Sequence, residues 1–217
     1  ATSGNIHGTP IISEEKEAHS QLKEVTDYFV HHNLNIRFPQ DDSVVKFADK
    51  TQLIYRRSRG LAPNYVDAKI NKTEPILAMG AHLKSTFTFV PNEQTYVSQY
   101  FGNLNNYDVL KRFKAIIENY FDAFETKPKT ILIDGHQQYQ SSILGSELAS
   151  ELNTNLYEIQ HHKAHFCSVL GEHDMFNHEG KILGVVWDGT GLGDDNQIWG
   201  GEFFTYQNHE IKRLTHF

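Results

Sequence analysis

The stretch that most restricts what this chain can fold into spans residues 156–204, LYEIQHHKAHFCSVLGEHDMFNHEGKILGVVWDGTGLGDDNQIWGGEFF. It opens with a short apolar strand (156–159) and passes into a histidine-rich segment of helical spacing. It then runs through an apolar stretch (182–187) that reads as a buried strand. Asp188 follows at the carboxyl end of that strand, entering a glycine-rich turn in which Gly189, Gly191 and Gly193 permit tight backbone and close approach of a ligand. On a helix, His161 and His165 stand one turn apart on one face, so both imidazoles can reach one ion. Together with Asp188 they offer a two-His, one-carboxylate metal set beside a phosphate-binding turn. With 13 His in the chain, the spacing also suits a packed or solvated helix with incidental histidines. An Asp-Gly turn, for its part, also suits an ordinary surface hairpin.

The rest of the chain fits around that stretch. Residues 14–31 carry apolar side chains at Leu22, Val25, Phe29 and Val30, which predicts a helix with Ser13 as N-cap. Short strands are expected at 35–37, 44–47 and 53–57, the first two joined through a turn at 39–42. A boundary is expected near residues 67–74. Beyond it, strands at 76–79, 86–90 and 96–99 separated by short turns predict an antiparallel meander. Residues 107–124 form a strongly amphipathic helix that Pro128 stops. A buried strand at 130–133 ends in Asp134-Gly135, and a helix at 141–152 follows. Strands first paired and then alternating with helices imply an α/β domain with a mixed sheet.

Composition narrows the function classes. A formal charge of −7 argues against a general nucleic-acid or anionic-membrane surface. One cysteine, Cys167, excludes an internal disulfide, fits a reducing compartment, and is read as structural. No apolar run approaches the roughly 18 residues a membrane helix needs.

Several motifs together resemble a known family. TSGN with GTPII, DDSVV and YRRSRGLAPNYV resemble the closing part of a YrdC-like domain. LAMGAHLKSTF, QYFGNLNNYD, QHHKAH and DGTGLGDDNQIWGGEF resemble, in that order, the first half of a TsaD-like carbamoyltransferase domain. A YrdC-like domain placed before a TsaD-like one is similar to the HypF family, the carbamoyltransferases of nickel–iron hydrogenase maturation. The resemblance implies the end of a YrdC-like α/β module at 1–70. An actin- and sugar-kinase-like α/β half-domain with a mixed sheet is implied at 74–217. With no initiator Met, it further implies a piece of a longer cytoplasmic protein, inactive alone.

In that family an acylphosphatase module releases carbamate from carbamoyl phosphate, and the YrdC-like module joins carbamate to ATP as carbamoyl adenylate. The TsaD-like module then hands the carbamoyl group to the C-terminal cysteine of HypE. The resemblance therefore implies ATP with magnesium, carbamoyl phosphate and a HypE-like acceptor, with no nucleic-acid or membrane partner. It implies His161, His165 and Asp188 as ligands of one transition metal, zinc or iron; the chain departs from the family at Lys163, where a histidine is often found, and the lysine is expected to add positive charge beside them. His162 is expected to face substrate or support the ligands. For nucleotide it implies Thr2, Ser3, Asn5, Ser43, Arg57 and Arg59 in the first region. In the second it implies Gly80, Lys84, Gly189, Thr190 and Gly191, with Thr86 in the same turn as Gly80. No catalytic residue is assigned. Two other readings remain open at this point: an O-carbamoyltransferase of small-molecule biosynthesis, which places the modules in the opposite order, and a non-catalytic nucleotide-binding scaffold.

Overall fold

A computed structural model describes residues 3–66 and 74–217; residues 67–73 of the expected boundary and the candidate ligand Thr2 lie outside them. The first region holds helix α1 (Glu15–Leu22), a hairpin of β1 (Val44–Ala48) and β2 (Thr51–Arg56), and the two-residue strand β3 (Tyr65–Val66).

Three expectations change here. The helix stops at Leu22 rather than continuing to residue 31, with Val25 and Thr26 N–H groups both turning back onto the Leu22 carbonyl. The physical reason is that α1 buries no residue, so no packing repays extension through the β-branched and aromatic residues that follow. Ser13 does not cap it; its hydroxyl accepts from Arg112 instead. Residues 35–37 form no strand, because the Arg37 carbonyl is taken by the Asn119 side chain at 2.6 Å, which lays this segment across a helix of the second region.

The second region opens with β4 (Ile76–Ala78), β5 (Thr88–Val90) and β6 (Thr95–Val97), the antiparallel meander expected. Helix α2 (Tyr107–Ala123) follows, capped by the Asn106 side chain, which accepts from the Asp108 and Val109 N–H groups. Strand β7 (Thr130–Asp134), helix α3 (Gln140–Leu152) and β8 (Asn155–Ile159) complete a six-stranded sheet. Its order is β3-β6-β5-β4-β7-β8, with β4, β7 and β8 parallel and the other pairs antiparallel. The sheet is mixed, and it recruits Tyr65 and Val66 from before the expected boundary. Its core joins Leu77, Met79, Phe89, Ile131 and Ile133 to Phe113, Ile117 and Tyr120 of α2 and to Leu144 and Leu148 of α3.

Helix α4 (His161–Glu172) leads into a separate antiparallel sheet of β9 (Ile182–Leu192), β10 (Ile198–Gln207) and β11 (Glu210–His216). Phe166 and Leu170 of α4 pack on Val186, Trp199, Phe204 and Tyr206. The apolar run in β9 is not buried on both faces: Gly184 and Val186 point inward, while Leu183, Val185 and Trp187 are exposed. The expected glycine turn is corrected too. Asp188, Gly189, Thr190 and Gly191 are strand residues, and the chain reverses at 193–197. The ladder to β10 continues past them with a register shift between Trp199 and Gly201 opposite Asp188, so the glycines relax a bulged strand rather than a reversal. Among the described residues no helix is long and apolar enough to cross a membrane.

Candidate functional site

The site forms where the two sheets meet at the N-terminus of α4. Gln160 caps that helix: its Oε1 accepts from the Lys163 N–H, and its Nε2 donates to the Leu192 carbonyl of β9 at 2.9 Å. Those two bonds fix the orientation of the amide. The remaining amide hydrogen points at His162 Nδ1, 3.0 Å away, so that atom accepts and the His162 proton sits on Nε2. His162 is fully buried, and burial pushes its imidazole below the ordinary range and keeps it neutral. Its Nε2 has no hydrogen-bond partner and lies 3.7 Å from Asp188 Oδ2.

His161 bridges the sheets. Its Nδ1 lies 2.7 Å from Oδ2 of Asp134, at the carboxyl end of β7. Its Nε2 lies 3.2 Å from Asp188 Oδ2 on β9. The Asp134 hydrogen bond, against the opposing effect of burial, raises the His161 pKa above the usual histidine value. Asp134 is itself held: its Oδ1 accepts from the His136 N–H, and its carbonyl accepts from Ser142. His165, one turn on, places Nε2 3.8 Å from the same Asp188 oxygen. Donor atoms of His161, His165 and Asp188 thus lie within 4.8 Å of one another. Asp188 Oδ1 accepts from the Gly189 N–H, while Oδ2 is buried without a hydrogen bond and faces three imidazoles. That is the environment a cation would complete.

Gly191 makes this proximity possible. A Cβ there would come within 2.5 Å of His162 Cε1 and 3.2 Å of His161 Cδ2, so only glycine lets β9 pass the start of α4. Lys163 does not charge the site as expected, because its Nζ pairs with Asp194 at 2.6 Å in the β9–β10 turn.

Gly80 and Lys84 lie in the loop after β4. Gly80 has φ of +68° and no room for a Cβ against the Thr86 carbonyl; Lys84 is exposed. His82 joins this loop to the neighbourhood, since its Nδ1 accepts from the Gln140 N–H and its ring stacks on Tyr139. Burial, then the negative charge of Asp134 and Asp188, raises the Tyr139 pKa and keeps the phenol protonated. Gly189 and Thr190 are exposed on the bulged part of β9.

The first-region candidates come together only in part. Ser3 and Arg59 line a polar groove with Arg56 and Asp42. Ser43 is a backbone brace that donates to the Arg59 carbonyl and accepts from the Ser58 N–H. Asn5 closes its own turn onto the Thr9 carbonyl. Arg57 turns away: its Nη2 donates to the carbonyls of Leu61 and Asn64, and its Nε to that of Val97. Its fork stitches the first region to β6 and is spent there. Three residues of this neighbourhood escaped the sequence reading: Asp134, Gln160 and Tyr139. The signal for Asp134 was present, a carboxylate at the end of an apolar strand. Gln160 carried one as well, as a capping side chain directly before the histidines.

Comparison with known proteins follows the same division. A family model described as the HypF Kae1-like domain matches residues 71–172. A second, described as the second subdomain of the Kae1-like domain of carbamoyltransferases, matches 184–217. A third, described as telomere recombination and belonging to the Sua5, YciO and YrdC group, matches 1–58. The probable carbamoyltransferase HypF of Methanocaldococcus jannaschii is 36% identical over 99% of this chain and 28% of its own length. The carbamoyltransferase HypF of Synechocystis is 35% identical over 100% of this chain and 27% of its own. Among solved structures, HypF of T. kodakarensis superposes with a TM-score of 0.85 at 35% identity, covering 99% of this chain and 28% of that one. A full-length HypF in a phosphate- and nucleotide-bound form gives 0.81 at 32% identity, covering 98% and 33%. The chain thus spans 27–28% of the length of these curated relatives.

Proposed function

The chain belongs to the HypF family, and from that premise we propose that it carries nucleotide- and acyl-handling parts of an ATP-dependent carbamoyltransferase acting in the cytoplasm. In the proposed cycle, carbamate freed from carbamoyl phosphate attacks ATP, with magnesium, to give carbamoyl adenylate and pyrophosphate. The C-terminal cysteine thiol of a HypE-like acceptor then attacks the carbamoyl carbon. The C–S bond forms, the C–O bond to AMP breaks, and the thiol proton is released. No nucleic acid or membrane takes part.

The observation that carries this reading is the convergence of His161 Nε2, His165 Nε2 and Asp188 Oδ2 on one point, with Asp134 orienting the first histidine. We assign these three donors to a zinc or iron ion. A buried carboxylate oxygen with no hydrogen bond among three imidazoles fits that assignment. When bound, such an ion supplies a Lewis acid to a phosphate or carbamoyl oxygen. The protein does the rest. Asp134 keeps the His161 proton on Nδ1, leaving Nε2 free to ligate. His162, neutral and buried, presents an unspent Nε2–H as a donor to an anionic oxygen beside Asp188. The exposed backbone of Gly189 and Thr190 suits phosphate, as does the positive-φ turn at Gly80 with the exposed Lys84. The phosphate- and nucleotide-bound relative supports a nucleotide in this family.

The test is ATP–pyrophosphate exchange by the intact parent protein with and without carbamoyl phosphate, together with transfer assays of its His161→Ala and His165→Ala variants. Exchange that depends on carbamoyl phosphate, with transfer lost in both variants, is the expected result. A folded, metal-loaded parent protein that shows no exchange would leave the nucleotide-binding scaffold as the better reading. Transfer to a small-molecule hydroxyl in place of a protein thiol would favour the O-carbamoyltransferase.

A further inference from the structure

A second group of metal-ligating side chains lies in the first region, on different elements from the site above. Glu15 and His19 are one turn apart on α1, and His31 comes back to them from the segment that follows the helix. The Nε2 atoms of His19 and His31 face each other at 3.0 Å, and Glu15 Oε1 stands 3.6 Å from His31 Nε2. One donor atom from each residue lies within 4.8 Å of the others.

Two facing imidazole nitrogens at this separation repel unless something positive lies between them. Either one nitrogen carries a proton for the other or a cation takes both lone pairs, and the adjacent carboxylate favours the higher charge. The rings are also held in place. Phe29 lies against His19 with ring centroids 4.1 Å apart, and its plane is parallel to that of His31 within 1°. Both ends of the excursion are tied to α2: Arg112 donates to Ser13 Oγ and the Ile11 carbonyl before α1, and Asn119 donates to the Arg37 carbonyl after His31. The three donors are therefore brought together by the fold at both flanks, rather than resting as independent surface side chains.

We propose that Glu15, His19 and His31 form a second, independent site for a divalent transition cation. Two imidazoles and one carboxylate suit zinc, with water completing the shell at this exposed position. Bound there, the ion would clip the end of the 23–31 segment to α1, an element with no buried residue of its own. It would add stability in proportion to its occupancy. The inference does not rest on the proposed reaction.

The experiment is titration of the metal-stripped protein with Zn²⁺ against a chromophoric chelator, with thermal melting alongside. His19→Asn, His31→Asn and Glu15→Gln are compared with the parent, and none of these residues belongs to the transfer site. The expected result is loss of one Zn²⁺ equivalent in each histidine variant and weakened binding in Glu15→Gln, with pyrophosphate exchange unchanged. Zn²⁺ should also raise the melting temperature of a His161→Ala/His165→Ala protein, and adding His31→Asn should remove that rise. The same number of equivalents, at unchanged affinity, in both histidine variants and the parent would overturn the proposal. In that case the pair is a proton-sharing contact only.

Discussion

Asp134→Asn replaces one carboxylate oxygen with an NH₂ group and removes the negative charge at almost no change in volume, so it isolates what the second carboxylate does. Asp134 accepts twice, at Oδ1 from the His136 N–H at 2.9 Å and at Oδ2 from His161 Nδ1 at 2.7 Å. An asparagine has one carbonyl oxygen, so one of these donors must meet its NH₂ group. If the amide keeps His136, the favourable arrangement for His161 makes Nδ1 an acceptor and moves its proton to Nε2. That atom faces Asp188 at 3.2 Å, and once protonated it has no lone pair for a metal. If the amide keeps His161, the turn after β7 loses its brace, and the neutral acceptor holds the imidazole less firmly.

Two magnitudes bear on the size of the effect. Outer-shell partners of ligating histidines are worth about 10–100-fold in metal affinity, or about 1.4–2.8 kcal/mol. A hydrogen bond to a charged group contributes about 1.5–3 kcal/mol net, the same range reached independently. Zn²⁺ titration of metal-stripped protein against a chelator should therefore show the dissociation constant rising about 10–100-fold, with circular dichroism unchanged. Carbamoyl transfer should fall while pyrophosphate exchange persists. A change of less than about twofold in a folded protein, well under the outer-shell range, would refute the orienting role of Asp134.

Gly191→Ala places a methyl group within 2.5 Å of His162 Cε1, and overpacking at such a site costs about 1–3 kcal/mol. Chemical denaturation should show that loss, and Zn²⁺ binding should weaken with it; a stable variant with parental affinity would contradict the close-approach argument. Arg213→Ala strands the buried Glu202 carboxylate, whose Oε2 takes the Arg213 Nε hydrogen bond at 2.6 Å, at a cost of about 3–5 kcal/mol. Burial pushes Glu202 up, but Arg213 and the Gly200 N–H together outweigh it and leave the group lowered. The parent's contribution is thus present above the unfolded carboxylate value and lost as pH falls through the folded one. In the variant the Gly200 N–H is left against burial, the largest single influence, so stability should instead fall as pH rises above about 4.3; denaturation at several pH values reads that reversal. Tyr120→Phe should be neutral or stabilising by about 1 kcal/mol, because the Tyr120 hydroxyl is buried without a partner. Burial raises the Tyr120 pKa, so the parent should lose stability above about pH 10 in a way the variant does not, as alkaline melting would show.

What the sequence made legible follows the range of the interactions involved. The meander, α2 and α3 are written in local periodicity and nearby turns, and their positions hold to within two residues. His161 and His165 were legible because one helical turn relates them. Asp134 was not, because its hydrogen bond to His161 spans 27 residues and depends on how β7 meets α4. The glycine run at 189–193 was misread for a related reason. Glycines promise a reversal, but whether the chain reverses depends on a partner strand, and β10 continues the ladder past Gly189 and Gly191 as far as Leu192, leaving Gly193 alone of the three at the reversal. Residues 23–31 carry an apolar rhythm, yet Val25, Tyr28 and Val30 are exposed, so the rhythm found no surface to pack on.

The layout of the site also explains why so many of its details are tertiary. The six-stranded and three-stranded sheets share no hydrogen-bonded strand, and α4 spans the gap. The body of the helix belongs to the smaller sheet, through Phe166 and Leu170. Its first residue belongs to both, through Asp134 on one side and Asp188 on the other. A rigid-body shift between the sheets would therefore change the His161–Asp134 separation while leaving His161, His165 and Asp188 in register with one another, because α4 is packed on the sheet that carries Asp188. The three donors are the fixed set, and Asp134, which orients His161 from the other sheet, is the carboxylate whose distance such a shift would change.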